Sequence, residues 1–241
     1  MLRELHAKLP RHDIVFFSDQ AHVPYGDRGV PELVGFLRAN IMFLDERGAD
    51  AIVMACNTSC ATASQQGWPR SRATIVDLIE SAAIAIEHSE YKRIGVIATS
   101  ATARSGAYTK AILARVPGAA VVEIAAPALV PLVEAGKLEG PEPRAAVAAV
   151  CAQLPRDLDA VILACTHYPL LNSHFAAVLG DRIARVDPAS VQAERAAAMA
   201  ADEGFAPGTG AITCITTGDP ERFRSAVTAT LGELPEITFE R

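Results

Sequence analysis

A seven-residue pattern that occurs twice is the feature that most constrains this chain. Residues 50–56 read Asp-Ala-Ile-Val-Met-Ala-Cys, and residues 159–165 read Asp-Ala-Val-Ile-Leu-Ala-Cys, with no gap in register. Each apolar run is short and continuous, which is typical of a parallel strand covered on both faces. Resemblance among such strands would explain the runs but not a cysteine at the same position in both. The repeat therefore places Cys56 and Cys165 just beyond two strands, where ligand sites of open α/β sheets lie.

Similar apolar runs alternate with amphipathic segments along the whole chain. The pattern predicts strands at 13–18, 51–55, 74–78, 94–98, 121–124, 160–164, 211–216 and 236–239, and a final stretch of the chain starts at 185–187. It predicts helices at 1–12 (ended by Pro10), 31–47, 59–66, 81–88, 104–115, 144–153, 190–203 and 219–231. Continuous runs alternating with helices indicate parallel sheets with helices on both faces, so the fold class is α/β.

Composition and charge narrow the classes of function. The chain has 241 residues, a length suited to two small domains, and its formal net charge is −6. An acidic chain without a run of Lys or Arg is a poor nucleic-acid binder. No apolar stretch approaches the roughly 18–20 residues that span a bilayer, and residues 1–5 lack the apolar region of a signal peptide. We expect a soluble, cytoplasmic protein.

The five cysteines are compatible with several different roles. Their odd number argues against a disulfide framework, and we take Cys60, Cys151 and Cys214 as small buried packing residues. Cys165 and His167 could form a metal pair, but no second ligand pair at zinc-like spacing accompanies them. A cysteine with a nearby histidine could also be a hydrolase nucleophile. The paired repeat favours a symmetric site with two thiol bases.

Two bases of similar strength suit the inversion of a stereocentre. One base removes a proton from one face of the carbon, and the other delivers a proton to the opposite face. A free thiol has a pKa of about 8.5, which falls beside positive groups or a helix N-terminus. Because each cysteine ends a strand that leads into a predicted helix, the helix N-terminus could stabilise a thiolate.

The segments around both cysteines resemble the two signature motifs of glutamate racemases. These segments are Ala55-Cys56-Asn57-Thr58 and the run Ala-Cys-Thr-His-Tyr-Pro-Leu-Leu at 164–171. The similarity extends over nearly the whole chain. It includes Val-Pro-Tyr-Gly at 23–26, the segment 99–108 and Thr-Gly-Asp-Pro at 217–220.

This resemblance implies a fold, an activity and a set of site residues. It implies two doubly wound parallel-sheet domains related by a pseudo-twofold, with the active site between them. One lobe would span 1–80 with 190–241, and the other 81–189. Cys56 and Cys165 would be the acid/base pair that racemises glutamate without PLP, another cofactor or a metal, and so supplies D-glutamate for peptidoglycan. The residues implied to bind the amino acid are Tyr25, Gly26, Asn57, Thr58, Thr166 and His167. The implied partner is the small-molecule substrate, with a homodimer as a possible assembly and no nucleic acid or membrane.

The chain departs from the family pattern at two places. It lacks the strand that ends in Asp-Ser-Gly before the first helix, and Ala101 stands where the family usually has Gly. The first departure predicts either a start codon placed too late or a weakly active relative, with the strands next to the absent one exposed. The alternatives that remain are an aspartate or hydantoin racemase, a decarboxylase using one cysteine, and an inactive ligand-binding relative.

Overall fold

A computed structural model describes residues 1–231 and 237–240 of the chain as alternating strands and helices. The strands are β1 (Ile14–Ser18), β2 (Ala51–Met54), β3 (Thr74–Asp77), β4 (Arg93–Ala98), β5 (Ala120–Ala125), β6 (Ala160–Ala164), β7 (Ala184–Val186), β8 (Ile212–Thr216) and β9 (Ile237–Glu240). The α-helices are α1 (Leu2–Lys8), α2 (Val30–Glu46), α3 (Asn57–Gln66), α4 (Leu78–Glu87), α5 (Ser100–Ser105), α6 (Ala107–Arg115), α7 (Leu129–Glu134), α8 (Pro141–Cys151), α9 (Asn172–Leu179), α10 (Pro188–Asp202) and α11 (Pro220–Leu231).

All strand pairs of these sheets are parallel, so the predicted α/β class is confirmed. One sheet has the order β5-β4-β6-β7, a second has β1-β8-β9, and a third has β2-β3. Parallel neighbours need a crossover connection, which the intervening helices supply. Because parallel strands run the same way, Cys56 after β2 and Cys165 after β6 both lie at the carboxyl ends of their sheets.

The core is built from small aliphatic side chains, as the low aromatic content of 5% requires. One buried cluster runs continuously from β2 and α4 to β4 and α6, and it includes Ile52, Ile79 and Tyr108. A second cluster covers the other face of the four-stranded sheet, with Leu129 and Phe175 at its centre. A third packs α1 against β1 and β8. No described helix is long and apolar enough to cross a membrane.

The predicted elements differ from the observed ones at a few positions. The single helix predicted at 104–115 is two helices, α5 and α6, because Gly106 adopts a left-handed conformation with φ of 63°. Helices α7 and α9 lie in segments for which the apolar pattern predicted no element. The strand predicted at 236–239 is observed at 237–240, and residue 236 lies outside the described residues.

Strands β1 and β2 present unpaired edges within the described residues. β1 pairs with β8 on one side only, and β2 pairs with β3 on one side only. The strands outside the four-stranded sheet therefore form two sheets where a doubly wound lobe would have one.

Candidate active site

The two repeated cysteines lie where the repeat predicts, Cys56 two residues after the end of β2 and Cys165 directly after β6. Cys56 is the N-cap residue of α3 and is half-buried. Cys165 follows β6, is only 6% exposed, and leads into a 3₁₀ turn at Tyr168–Leu171 before α9 begins. An α-helix N-terminus therefore adjoins Cys56 but not Cys165, since Pro169 sits in the intervening 3₁₀ turn.

The environment of Cys56 acts on its thiol in opposing ways. Burial raises the pKa of Cys56, while hydrogen bonds from the Ser59 side chain and from the amides of Ser59 and Thr58 lower it. The charge of a Cys165 thiolate raises it again, so the two thiols lie close enough to interact. The result is a raised pKa. The helix N-terminus stabilises the thiolate as expected, but desolvation outweighs it.

Cys165 belongs to a chain of three polar side chains. His167 Nδ1 lies 3.6 Å from Cys165 Sγ, and His167 Nε2 lies 2.5 Å from a carboxylate oxygen of Glu134. Burial lowers the pKa of His167, but its hydrogen bonds with Cys165 and Glu134 raise it more, to about 10. The bond to His167 lowers the pKa of Glu134. The raised pKa of His167 therefore favours its imidazolium at neutral pH, between Cys165 Sγ and the Glu134 carboxylate.

Three threonine hydroxyls form a buried network beside Cys56. Thr58 Oγ1 of α3 lies 3.1 Å from Thr99 Oγ1 and 3.4 Å from Thr102 Oγ1, and the last two are 3.0 Å apart. Thr99 also caps α5. A Cβ added at Gly26 would lie 3.0 Å from Thr99 Cβ, so only glycine lets the 23–26 loop approach this closely. The network joins α3, α5 and this loop.

Asn57 is oriented by a tyrosine from α6. The Tyr108 hydroxyl, fully buried, donates to Asn57 Oδ1 at 2.5 Å. Because the amide oxygen is occupied, the Asn57 NH₂ group is the part left to act as a donor.

Tyr25 is held by a polar cluster on the other side of Cys56. Its hydroxyl donates to Asp19 at 2.6 Å and accepts from Asn40 Nδ2 at 3.1 Å. Asp19 also interacts with His22 Nδ1 at 2.8 Å and accepts from Thr217 Oγ1 at 2.9 Å. Burial raises the pKa of Asp19, but these hydrogen bonds outweigh it, so the carboxylate has a lowered pKa.

The structure brings most of the predicted site residues together. Burial, the bond to Asp19 and the charge of Cys56 all raise the pKa of Tyr25, so Tyr25 lies near that thiol. Gly26 and Thr58 meet through Thr99, and His167 contacts Cys165. Thr166 is exposed beside Cys165 and makes no side-chain hydrogen bond within the described residues.

Sequence reasoning missed several residues of this site. Glu134 and Tyr108 were not predicted, and neither was the hydroxyl network of Thr99 and Thr102. Segment 99–108 was marked by resemblance, which could have suggested the threonines and Tyr108. Glu134 had no signal, because its helix α7 was not predicted. Within the described residues, no group of three or more His, Cys, Asp or Glu side chains is arranged to hold a metal ion.

Comparison with known proteins identifies relatives over the full length of the chain. Residues 1–196 match the family described as Asp/Glu/hydantoin racemase. A glutamate racemase of Desulforudis audaxviator is 38% identical over 100% of this chain and 92% of its own. A glutamate racemase of Gloeobacter violaceus is 37% identical over 98% of this chain and 89% of its own.

Solved structures of glutamate racemases superpose on this fold over nearly the whole chain. Glutamate racemase isoform RacE1 from Bacillus anthracis superposes with a TM-score of 0.91 at 28% identity, over 99% of this chain and 91% of its own. Glutamate racemase from Thermus thermophilus, in complex with β-chloro-D-alanine, superposes with a TM-score of 0.85 at 34% identity, over 100% of this chain and 90% of its own.

Proposed function

Because this chain belongs to the Asp/Glu/hydantoin racemase family, we propose that it interconverts L- and D-glutamate with the thiols of Cys56 and Cys165. Family membership makes it an amino-acid racemase. The observation that carries the mechanism is that the two cysteines follow strands of different sheets, yet their segments meet. Thr58, two residues after Cys56, bonds to Thr99 at the end of β4, and β4 pairs with β6, which leads into Cys165.

The proposed reaction transfers one proton at each face of the α-carbon. One thiolate takes the α-proton and becomes a thiol, and the electron pair of the C–H bond delocalises into the α-carboxylate. The opposite thiol then gives its proton to the other face and becomes a thiolate. The protein ends with the two protonation states exchanged, and the reverse reaction restores them. In this scheme both transfers need only protein thiols, so no cofactor takes part.

The charges around the thiols suit this exchange. Burial raises the pKa of Cys56, so a nearby positive group would favour its thiolate. The α-ammonium of the substrate supplies such a charge when it binds. On the other face, His167, held by Glu134, lies 3.6 Å from Cys165 Sγ and is the polar partner of that thiol.

The predicted binding residues fit the polar groups of an amino acid. We propose that Tyr25, Gly26, Asn57, Thr58, Thr166 and His167 hold the substrate. The NH₂ group of Asn57 and the hydroxyl of Thr58 can donate to a carboxylate, and Thr166 offers an exposed hydroxyl beside Cys165. The family description also covers aspartate and hydantoin, so these compounds are the competitors to compare with glutamate.

We further propose the lobes, assembly and cellular role that the resemblance implies. One lobe would span 1–80 with 190–241 and the other 81–189. In support, β4 to β7 form one sheet, and every other described strand lies outside it. A homodimer, a cytoplasmic location and supply of D-glutamate for peptidoglycan complete the proposal. Light scattering of the purified protein tests the dimer.

Alanine variants test the two-thiol mechanism. Cys56→Ala and Cys165→Ala should each abolish racemisation, because each removes the proton carrier for one face. Cys151→Ala is the matched control, since Cys151 is a buried cysteine at the end of α8. In D₂O, the parent protein should place deuterium at the α-carbon of the product. A Cys56→Ala or Cys165→Ala variant that racemises at the parental rate would contradict the mechanism.

Substrate preference and cofactor use are measured on the same parent protein. We expect kcat/KM to be highest for glutamate among L- and D-glutamate, L- and D-aspartate and hydantoins.

Activity should survive treatment with hydroxylamine, which captures PLP, and with EDTA, which removes metal ions. Loss of activity with either reagent would contradict the cofactor-independent mechanism.

A further inference from the structure

Gln192 links the helix that leaves the four-stranded sheet to the strand that carries Cys56. The residue lies on α10 and is fully buried. Its Nε2 lies 3.0 Å from the carbonyl oxygen of Met54 and 2.7 Å from that of Val76. The Met54 carbonyl is at the end of β2, two residues before Cys56. The Val76 carbonyl is near the end of β3, one residue before the N-cap of α4.

The carbonyl at the end of β2 needs a donor from outside the ladder. In a parallel pair, the carbonyl of Met54 would accept from the next residue beyond Asp77 in the ladder, but α4 already begins at Leu78. A buried backbone carbonyl without a donor is costly. The side-chain NH₂ group of Gln192 has two protons, which match the two carbonyls.

A second contact ties the same carbonyl to the helix after Cys56. Cys60 Sγ lies 3.6 Å from the Met54 oxygen, and Cys60 sits one turn along α3, with its amide donating to the Cys56 carbonyl at 3.0 Å. The Met54 carbonyl is thus held from α10 and from α3. Cys56 lies on the short connection between these two anchored points.

The stability gained from Gln192 is partly offset by its own amide oxygen. Gln192 Oε1 is buried and has no hydrogen-bond partner within the described residues. An unpaired buried amide oxygen destabilises a fold, so the side chain contributes through the two bonds that its NH₂ group donates. The two donated bonds are therefore the function of the side chain.

We propose that Gln192 is a positioning residue that holds the end of β2, and with it the Cys56 thiol, at a set distance from the sheet that carries Cys165. α10 starts directly after β7, with Asp187 as its N-cap, and contacts β2, β3 and β6. It is therefore placed to keep the two strand ends in register. This inference rests on the proposed role of Cys56.

The test removes the donors and follows the reactivity of each thiol. Gln192→Met keeps the shape but loses both hydrogen bonds, and Gln192→Leu removes the same donors with a different shape. Gln153→Met is the matched control, because Gln153 makes an exposed amide–carbonyl bond to Ala149 in α8. Alkylation by iodoacetamide at pH 8, resolved by peptide mass spectrometry, reports Cys56 and Cys165 separately and needs no racemase activity.

We expect kcat to fall by about 10- to 100-fold in both Gln192 variants, because small misplacements of a reacting group have effects of this size. Alkylation of Cys56 should change by about threefold or more while that of Cys165 stays within about twofold. The melting temperature should fall by about a few degrees in both variants, because the buried Met54 oxygen loses its amide donor. The control should match the parent.

Three outcomes would overturn the proposal. These are parental kcat in both Gln192 variants, equal changes in alkylation at Cys56 and Cys165, or failure of both variants to fold, which would assign Gln192 to stability. The proposed function fails separately, if Cys56→Ala remains active. In that case the alkylation result would still decide whether Gln192 positions Cys56.

Discussion

At the residue scale, the asymmetry between the two thiols is the main finding. Cys56 has the N-terminus of α3 and buried hydroxyls around it, whereas Cys165 has an imidazole backed by a carboxylate. Because Glu134 holds His167 from the side opposite Cys165, the histidine is fixed in both orientation and charge. The two thiols therefore have different polar partners.

Glu134→Gln should lower the pKa of His167 below about 10 and reduce racemisation. The amide removes the negative charge that favours the imidazolium and loosens the histidine that contacts Cys165 Sγ. NMR titration of the His167 ring measures the pKa directly, and His174, whose Nε2–H donates to the backbone carbonyl of Leu138, is the internal control. An unchanged His167 titration would rule out this role of Glu134.

The same pair predicts how stability depends on pH. The pKa of folded His167 is raised above the unfolded value of about 6.5, so its contribution is complete below that pH and is lost as pH rises through about 10. The pKa of Glu134 is lowered, so its contribution is lost at acid pH. The melting-temperature deficit of Glu134→Gln should therefore be largest near pH 5–6.5, at a few degrees, because Glu134 is largely exposed. A deficit that grows toward pH 10 would contradict this sign.

At the scale of elements, short helices and strand ends place the site. The break between α5 and α6 lets Thr99 and Thr102 face α3 while Tyr108 reaches Asn57. Helix α7, only six residues long, delivers Glu134. None of these elements is long enough to be stable alone, so tertiary packing must hold them.

Alanine substitutions at two glycines, one at the α5–α6 break and one inside α2, should change the stability of the protein in opposite directions. Gly106→Ala should destabilise the protein by about 1–2 kcal/mol, because φ of 63° strains any L side chain. Gly35→Ala, inside α2 with nothing within 4 Å of the new Cβ, should stabilise it by about 0.5–1 kcal/mol. Urea denaturation measures both values. Equal effects at the two sites would contradict the left-handed break.

The unpaired edges of β1 and β2 predict a pattern in hydrogen exchange. Ile14 N donates to Ala211, so the amides of Val15 and Phe17 point away from β8. They should exchange faster than the amide of Phe16 in the same strand by about tenfold or more. NMR-detected exchange resolves the three amides. Equal protection would mean that another strand or chain pairs with this edge.

At the scale of the whole molecule, the site exists only where two sheets meet. Thr58 comes from the helix after β2 and Thr99 from the end of β4, and their hydroxyls bond across the contact. The largest buried cluster also crosses it. The two halves of the proposed site are therefore coupled by both polar and apolar contacts.

Thr58→Val should weaken this coupling and raise the KM for glutamate about fivefold. The valine keeps the shape but loses a hydrogen bond of about 1 kcal/mol, which corresponds to that factor. Thr62→Val is the matched control, because Thr62 bonds only back to the Thr58 carbonyl within α3. Steady-state kinetics compare the two. Similar KM values in both variants would show that the bond between Thr58 and Thr99 does not contribute to substrate binding.

The sequence by itself determined the features that are local along the chain. Continuous apolar runs specify parallel strands, and the cysteine that ends two of them specifies a pair of thiols at carboxyl ends. Both follow from residues that are neighbours in sequence, where the side-chain period is directly readable. The alternation of elements and the positions of Cys56 and Cys165 were accordingly predicted.

Only the tertiary structure decided which distant groups meet those thiols. Glu134 and His167 are 33 residues apart, Thr58 and Thr99 are 41, and Gln192 and Met54 are 138. No periodicity records such pairs, because each depends on how separate sheets and helices pack. The same packing reversed the expected pKa shift of Cys56, since burial of a thiol is a property of the assembled fold and outweighs the local helix N-terminus.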